Sequence, residues 1–153
     1  MNHLFERFVT IQLRRHLAGK LEVHDQVKTY LDTAHKVTMY PDLVFYRRGE
    51  PILVADVKYK LTEDGFGQNS DYYQLLAYCD AIGLRNGVLL YGATSQDDPV
   101  VRIETWSEQR LVILPLNLGG PPTEISQRLH DLALGTLVPL SRTEVEWAPR
   151  AIA

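Results

Sequence analysis

Two acids and a lysine at short spacing are the residues of this chain whose types could do chemistry together. Asp42 follows a proline in the stretch VTMYPDLVFY, and Asp56 and Lys58 lie two positions apart in ILVADVKY. Side chains two positions apart in a strand point to the same face, so Asp56 and Lys58 would project together from an otherwise apolar strand. Burying a carboxylate is unfavourable without a partner for its charge, so this placement calls for an explanation.

The two stretches predict a β-hairpin. Residues 37–46 and 52–59 are rich in β-forming residues, and the segment RRGEP between them is typical of a turn. Pairing of the two strands could bring Asp42 close to Asp56, although the 13 residues between these acids do not fix the register.

Adjacent carboxylates favour metal chemistry. They repel each other unless one keeps its proton or a divalent cation lies between them. Mg²⁺ prefers carboxylate oxygens, water and phosphate as ligands. A nearby lysine can stabilise the negative charge that develops on a phosphorane or hold the attacking water. The set Asp42, Asp56 and Lys58 therefore matches the requirements of metal-assisted phosphodiester hydrolysis.

Both the D-x-K triplet and the Pro–Asp step also have a purely structural interpretation. A D-x-K triplet is common, and on an exposed edge strand Asp56 and Lys58 would form only a surface ion pair. A Pro–Asp step often does no more than open a turn. The functional hypothesis therefore depends on the combination.

The elements that must position these residues can be read along the chain. Residues 3–18 predict a helix with Leu4, Phe8 and Ile11 as its apolar stripe. The other predicted elements are a weak strand over 22–31, a helix over 71–83 capped by Asn69 or Ser70, strands over 86–93, 100–107 and 110–118, and a helix over 123–134. This order predicts a mixed α/β domain, with a central sheet flanked by helices.

Several motifs together resemble the PD-(D/E)xK nuclease superfamily. P-D at 41–42 followed by A-D-V-K at 55–58 resembles its signature. Gln74 and Tyr78, four positions apart on one helical face, are similar to the helix motif of RecB-like members. Glu6 in LFERFV resembles the N-terminal acidic residue of the superfamily. The order LFERFV, PDLVF, VADVKYK, DYYQLLAY and LLY resembles the nuclease domain of McrC most closely, over residues 3–91.

The resemblance implies a restriction-endonuclease-like fold with an αβββαβ core and a Mg²⁺-dependent endodeoxyribonuclease, in which Mn²⁺ can substitute. Asp42 and Asp56 would bind the metal, with the Val57 carbonyl as a third ligand. Glu6 would join the metal shell through water.

The remaining roles concern the water and the phosphate. Lys58 would orient or activate the nucleophilic water, Gln74 would position Lys58 or a phosphate, and Tyr78 would brace that arrangement. Lys60 would touch a phosphate. Gln74 as a solvated helix residue, Tyr78 as core and Lys60 as a solvated strand end remain open alternatives. Further basic residues that could meet the DNA backbone, or be merely solvated, are Arg14, Arg15, Arg47 and Arg48.

The implied function is cleavage of DNA within a McrBC-like restriction or defence system. The implied partners are DNA, a McrB-like GTP-dependent AAA+ motor subunit and a second copy in a homodimer. McrC proteins carry an N-terminal half that engages the motor, whereas the helix here begins at residue 3. We therefore expect a chain lacking that region, or a stand-alone or minimal relative. The expected organisation is a nuclease domain over 1–138 and a C-terminal tail over 139–153.

Two rival hypotheses stay open. The first is a catalytically inactive nuclease-fold module that binds nucleic acid or a partner protein. The second is a structural domain with a surface ion pair, which predicts that Asp56 and Lys58 are exposed and far from Asp42.

The composition of the chain excludes several classes of protein. The chain has 153 residues with 45% hydrophobic content, enough for one core. One cysteine excludes an internal disulfide, no histidine spacing is typical of a metal site, and no apolar run is long enough for a membrane span. We expect a cytoplasmic protein.

The net charge of −3 hides an uneven distribution of charge. Residues 1–60 hold ten Lys/Arg against seven Asp/Glu, whereas residues 61–153 hold six against twelve. Because the total is not basic, we expect a chain that cuts DNA but binds it weakly by itself.

Overall fold

The structure is a computed structural model that describes residues 2–59, 69–93 and 99–142. In chain order its elements are α1 (Asn2–Leu17), β1 (Glu22–Asp25), β2 (Thr29–Tyr30), β3 (Thr38–Met39), β4 (Leu43–Arg47), β5 (Glu50–Lys58), α2 (Asn69–Ile82), β6 (Asn86–Ala93), β7 (Val101–Glu104), β8 (Arg110–Asn117), α3 (Pro122–Leu132), a π-helical turn (Ala133–Leu137) and a final turn α4 (Val138–Leu140).

A six-stranded mixed sheet forms the centre, in the order β1-β4-β5-β6-β8-β7. The strands β1, β4 and β5 are antiparallel neighbours, β5, β6 and β8 run parallel, and β7 is antiparallel to β8. Strands β2 and β3 form a separate two-stranded ladder. Helices α1 and α3 pack on one face of the central sheet and α2 packs on the other, so the predicted α/β fold with a helix-flanked mixed sheet is confirmed.

The hairpin of β4 and β5 is closed by a two-residue turn. Arg48 and Gly49 both have positive φ, at 52° and 80°. Positive φ at both central positions is the mark of a type I′ turn, which matches the twist of antiparallel strands. The turn pairs Arg47 with Glu50, and a bulge between Phe45 and Tyr46 shifts the register so that Leu43 lies opposite Ala55.

The helix predicted at the start of the chain is present, but its buried face differs from the prediction. Leu4 is 69% exposed and Ile11 is 51% exposed. The buried side chains form a different row on the helix, with successive members four positions apart. They are Phe5, Val9, Leu13 and Leu17. Both rows have helical spacing, and the row that packs is the one that meets β1, β5 and α3.

The helix predicted over 71–83 and the strand predicted over 86–93 are both present. Gly83, at φ 79°, ends α2, as expected of a residue that adopts the left-handed region without strain. Strand β6 approaches α2 closely at Gly87, where a Cβ atom would lie 2.7 Å from Cys79 Sγ.

Three predicted boundaries need correction. The strand expected over 22–31 stops at Asp25, because Gln26 takes a positive φ of 50° and turns the chain. The strand expected over 37–46 is divided into β3 and β4. The helix expected to end at residue 134 continues through the π-helical turn into α4.

The domain boundary expected at residue 138 stays a prediction. Within the described part of that predicted tail, Ser141 is buried, and its carbonyl and hydroxyl both accept hydrogen bonds from Arg47. Among the described residues, no helix has the length and apolar character needed to cross a bilayer.

Candidate active site

The hairpin register brings Asp42 and Asp56 together. Because Leu43 pairs with Ala55, the preceding Asp42 lies across from Asp56. Asp42 Oδ2 accepts a hydrogen bond of 2.9 Å from the backbone N–H of Val57, the residue after Asp56. The two acids therefore face each other where β4 begins and β5 approaches its end.

Gln26 holds the other oxygen of Asp42. Its amide Nε2 donates to Asp42 Oδ1 at 3.4 Å, and its backbone N–H donates to the Asp42 carbonyl at 3.3 Å. Its positive φ at the end of β1 directs the chain towards Asp42. The sequence does not predict this contact, because no neighbouring residue indicates a left-handed backbone at Gln26.

Asp56 is a buried carboxyl with a strongly perturbed proton affinity. It is 1% exposed, on a strand hydrogen-bonded on both sides by β4 and β6. Burial, followed by a hydrogen bond to Asp42 and the charge of Asp42, raises the pKa of Asp56 to about 8, although Lys58 opposes the shift. Since two adjacent carboxylates repel each other, the raised pKa favours the protonated form of Asp56 at neutral pH.

Lys58 lies on the same face as Asp56, as the alternation of the strand predicts. Its Nζ atom is 3.0 Å from Asp56 Oδ2 and 3.9 Å from Asp71 Oδ1, and it donates to Gln74 Oε1 at 3.3 Å. Burial alone would lower the pKa of Lys58, but the charges of Asp56, Asp71 and Asp42 outweigh burial and raise it. The ammonium therefore stays charged in this setting.

Helix α2 supplies the other side of the site. Gln74 is exposed but contacts Lys58, and its side chain hydrogen-bonds to Tyr78. Tyr78 is buried, and burial together with the charges of Asp56 and Asp42 raises its pKa to about 12. Tyr78 is thus both a core residue and a neighbour of the acids. Asp71, which the sequence analysis missed, precedes Gln74 by three positions and so lies on the same helical face.

Glu6 approaches the acids from α1. Partial burial and the charge of Asp42 raise the pKa of Glu6, while His3, with Nδ1 at 3.9 Å from Glu6 Oε2, lowers it. Glu6 and Asp42 both line a cleft of about 630 Å³ between α1 and the end of β1. Arg7 and Arg14 line the same cleft, so it combines acidic and basic walls.

The other predicted basic contacts divide into two groups. Arg14 is engaged with the Val23 carbonyl and the Asp25 carboxylate, and Arg47 is engaged with the segment after α4. Arg15 and Arg48 are exposed. Lys60 lies outside the described residues.

The acid pair has features that suit a divalent cation. Asp56 Oδ2 is buried, and no donor among the described residues is aligned to it as a hydrogen bond, although the Lys58 ammonium is close. Within the described ranges, His, Cys, Asp and Glu side chains form no group of three that could hold one ion. A metal here would thus depend on the two aspartates, a backbone carbonyl and water. That donor set fits Mg²⁺, which usually keeps several waters.

The surface ion pair hypothesis does not fit this geometry. It requires Asp56 and Lys58 to be exposed and far from Asp42, whereas Asp56 is buried against Asp42 and the Lys58 side chain is 31% exposed.

Comparison with known proteins gives a family match. A family model described as McrBC 5-methylcytosine restriction system component matches residues 1–92. The matched segment runs from α1 into β6 and so includes all the side chains of the acid–lysine site. No curated protein matches the chain.

Proposed function

The chain belongs to the McrBC 5-methylcytosine restriction system component family, and we propose that it is the DNA-cleaving component of such a system. The proposed activity is that of a Mg²⁺-dependent endodeoxyribonuclease of PD-(D/E)xK type. The observation that carries the proposal is the buried Asp56 facing the half-buried Asp42, with the Lys58 ammonium 3.0 Å from Asp56. Family membership supports the role in restriction, and the acid pair supports the chemistry.

The two aspartates are the proposed metal ligands, with the Val57 carbonyl beside them and Glu6 acting through water. A bound Mg²⁺ would supply charge neutralisation at the scissile phosphate and a more acidic water. The protein fixes the orientation of Asp42 by donating to each of its oxygens, from Val57 N–H to one and from Gln26 to the other. Preorganised ligands of this kind lose little conformational entropy when an ion binds.

Lys58 acts in this proposal as a charged donor. Because its pKa is raised by the surrounding acids, it is a poor general base at neutral pH. It can orient the attacking water and stabilise negative charge on the phosphate oxygens. Gln74, which accepts a hydrogen bond from Nζ, limits where the ammonium can point.

The proposal extends to the surroundings of the chain. DNA is the substrate, Mn²⁺ can replace Mg²⁺, and a GTP-dependent AAA+ motor subunit and a second copy of the chain are the proposed partners, in the cytoplasm. The family consists of components of a restriction system, which supports an assembly with other subunits.

Cleavage and metal binding test the proposal together. Plasmid DNA is incubated with Mg²⁺ or Mn²⁺ and the wild-type chain, Asp56→Asn, Lys58→Ala or the control Lys36→Ala, which alters an exposed lysine near β3. We expect nicking by the wild type and the control, and loss in the two site variants. Equal cleavage by all four proteins would refute the assignment of the site.

Calorimetry with Mn²⁺ covers the case in which a partner subunit is needed for cleavage. A nuclease centre predicts binding by the wild type that is lost in Asp42→Asn. Absence of Mn²⁺ binding in the wild type would instead favour an inactive nuclease-fold module that binds nucleic acid or a partner protein.

A further inference from the structure

Two histidines meet between α1 and α3, on the face of the sheet opposite α2. His16 comes from the end of α1 and His130 from α3, and their Nδ1 atoms are 3.3 Å apart. The ring centroids are 5.0 Å apart and the ring planes cross at 75°. Both side chains are half-buried. The acid–lysine site uses neither residue.

A chain of hydrogen bonds sets the tautomer of His16. Ser126 Oγ donates its single proton to Gln12 Oε1 at 2.6 Å. The contact of 3.2 Å between Ser126 Oγ and His16 Nε2 therefore requires Nε2–H as the donor. Neutral His16 thus carries its proton on Nε2 and a lone pair on Nδ1, the atom that faces His130.

The charge state of His16 agrees with this arrangement. Burial, with smaller contributions from His130 and Arg15, lowers the pKa of His16, although Ser126 opposes the shift. Neutral imidazole is the form that binds metal ions.

The separation of the two nitrogens matches a tetrahedral metal ion. With Zn–N bonds of about 2.0–2.1 Å and a tetrahedral angle, two ligand nitrogens lie about 3.3–3.4 Å apart. We propose that His16 and His130 form a binding site for a divalent transition metal of the zinc class, which ties α1 to α3. Without metal, His130 Nδ1–H donates to His16 Nδ1. On binding, His130 moves that proton to Nε2 through solvent, and both Nδ1 atoms become ligands.

The surroundings define the class and strength of the site. Imidazole nitrogens suit Zn²⁺, Ni²⁺ and Cu²⁺ and suit Mg²⁺ poorly, so the site is distinct in chemistry from the acid pair. Ser126, which accepts from the far nitrogen of His16, plays the part of the partner that usually orients a metal-binding histidine.

Access and ligand number are also set by the structure. A groove of about 520 Å³ lined by His16, Ser126 and Arg15 reaches His16 from the surface, and His130 beside it is only half-buried. No third His, Cys, Asp or Glu joins the cluster within the described ranges, so water completes the coordination. Two protein ligands and the nearby Arg15 charge make the site weaker than a structural zinc site with four.

Titration of the untagged protein with Zn²⁺ alone tests the site. All proteins carry Asp56→Asn, which removes the acid pair as a competing site. We expect one ion per chain in this background, loss of binding in His130→Ala, and about tenfold weaker binding in Ser126→Ala. The matched control His24→Ala removes an exposed imidazole from β1 and should bind as the background does.

Co²⁺ gives an independent spectroscopic reading. Tetrahedral Co²⁺ on nitrogen ligands should give visible absorption bands that are absent in His130→Ala, and circular dichroism checks that each variant is folded. If His130→Ala is unfolded, Ser126→Ala and His16→Gln carry the test. Unchanged Zn²⁺ binding in the folded histidine variants, an equal loss in His24→Ala, or no binding by the background protein would overturn the proposal.

Discussion

Raising the pH should destabilise the metal-free protein through Asp56. Burial and the adjacent Asp42 raise the pKa of Asp56 from 3.8 to about 8 in the folded state, whereas the unfolded chain keeps a value of about 3.9. The folded state therefore holds a proton that the unfolded state has lost between about pH 4 and pH 8. The contribution of this proton to stability is complete below the pKa of Asp56 in the unfolded chain. It is lost as the pH rises through the pKa of Asp56 in the folded state.

The size of the effect follows from the shift. A difference of about 4 units at about 1.36 kcal/mol per unit gives a ceiling of about 5 kcal/mol. The Lys58 ammonium, 3.0 Å from Asp56 Oδ2, stabilises the ionised form, and relaxation around the charge reduces the loss further. We therefore expect the free energy of unfolding to fall by about 2–4 kcal/mol between pH 5 and pH 8.5.

Urea denaturation in EDTA at pH 5, 7 and 8.5 measures this loss. Asp56→Asn replaces the carboxyl with a neutral group of the same shape. Its free energy of unfolding should therefore equal that of the wild type at pH 5 and exceed it at pH 8.5. Asp80→Asn, which alters an exposed acid on α2, is the control and should follow the wild-type curve. A wild-type free energy of unfolding that does not change over this range, or an Asp56→Asn protein that is no more stable than the wild type at pH 8.5, would contradict a raised pKa at Asp56.

Three further outcomes follow from the same contacts. Gln74→Ala should slow cleavage while leaving the Mn²⁺ affinity and the urea midpoint unchanged. The reason is that Gln74 is exposed and contacts Lys58 rather than the two aspartates. Cleavage at the wild-type rate would contradict a positioning role for Gln74. Gly87→Ala should lower the free energy of unfolding by about 1–3 kcal/mol, since the new Cβ would lie 2.7 Å from Cys79 Sγ in the packed layer under α2. Arg48→Asn should raise the free energy of unfolding by about 0.5–1 kcal/mol, because asparagine tolerates the φ of 52° in the hairpin turn better than arginine does. Urea denaturation curves measure the effect of both the Gly87→Ala and the Arg48→Asn substitution. A destabilised Arg48→Asn protein would exclude this account of the turn.

The hairpin at the centre of the site could be predicted from the sequence, but its register could not. The β-forming stretches and the RRGEP turn indicate two paired strands, and the alternation of β5 places Asp56 beside Lys58. The pairing of Leu43 with Ala55 depends on a bulge between Phe45 and Tyr46 and on the type I′ turn. An arginine at positive φ carries no local signal, so neither feature can be read from residue types.

The missed contacts have the same origin. Gln26 reaches Asp42 across 16 positions, through a turn that depends on its own left-handed backbone. The face of α1 that packs, with Phe5 and Val9 buried in place of Leu4 and Ile11, depends on which side the sheet and α3 occupy. Periodicity predicts that a helix is present, whereas tertiary contacts decide which of two apolar rows is buried.

The proton on Asp56 and the proposed cation would compete for the same carboxyl group. Burial places Asp56 where its charge is unfavourable, and Asp42 adds repulsion that Lys58 only partly offsets. An arrangement built for stability alone would gain from a neutral side chain at either position, because an uncompensated buried charge lowers the stability of the fold. The proposed cation would be held by both aspartates, where it would replace the proton on Asp56 and attract both carboxylates to a common centre. The raised pKa of Asp56 and the proposed capacity to hold a metal thus have one physical cause, the close approach of the Asp42 carboxyl to the buried Asp56 carboxyl.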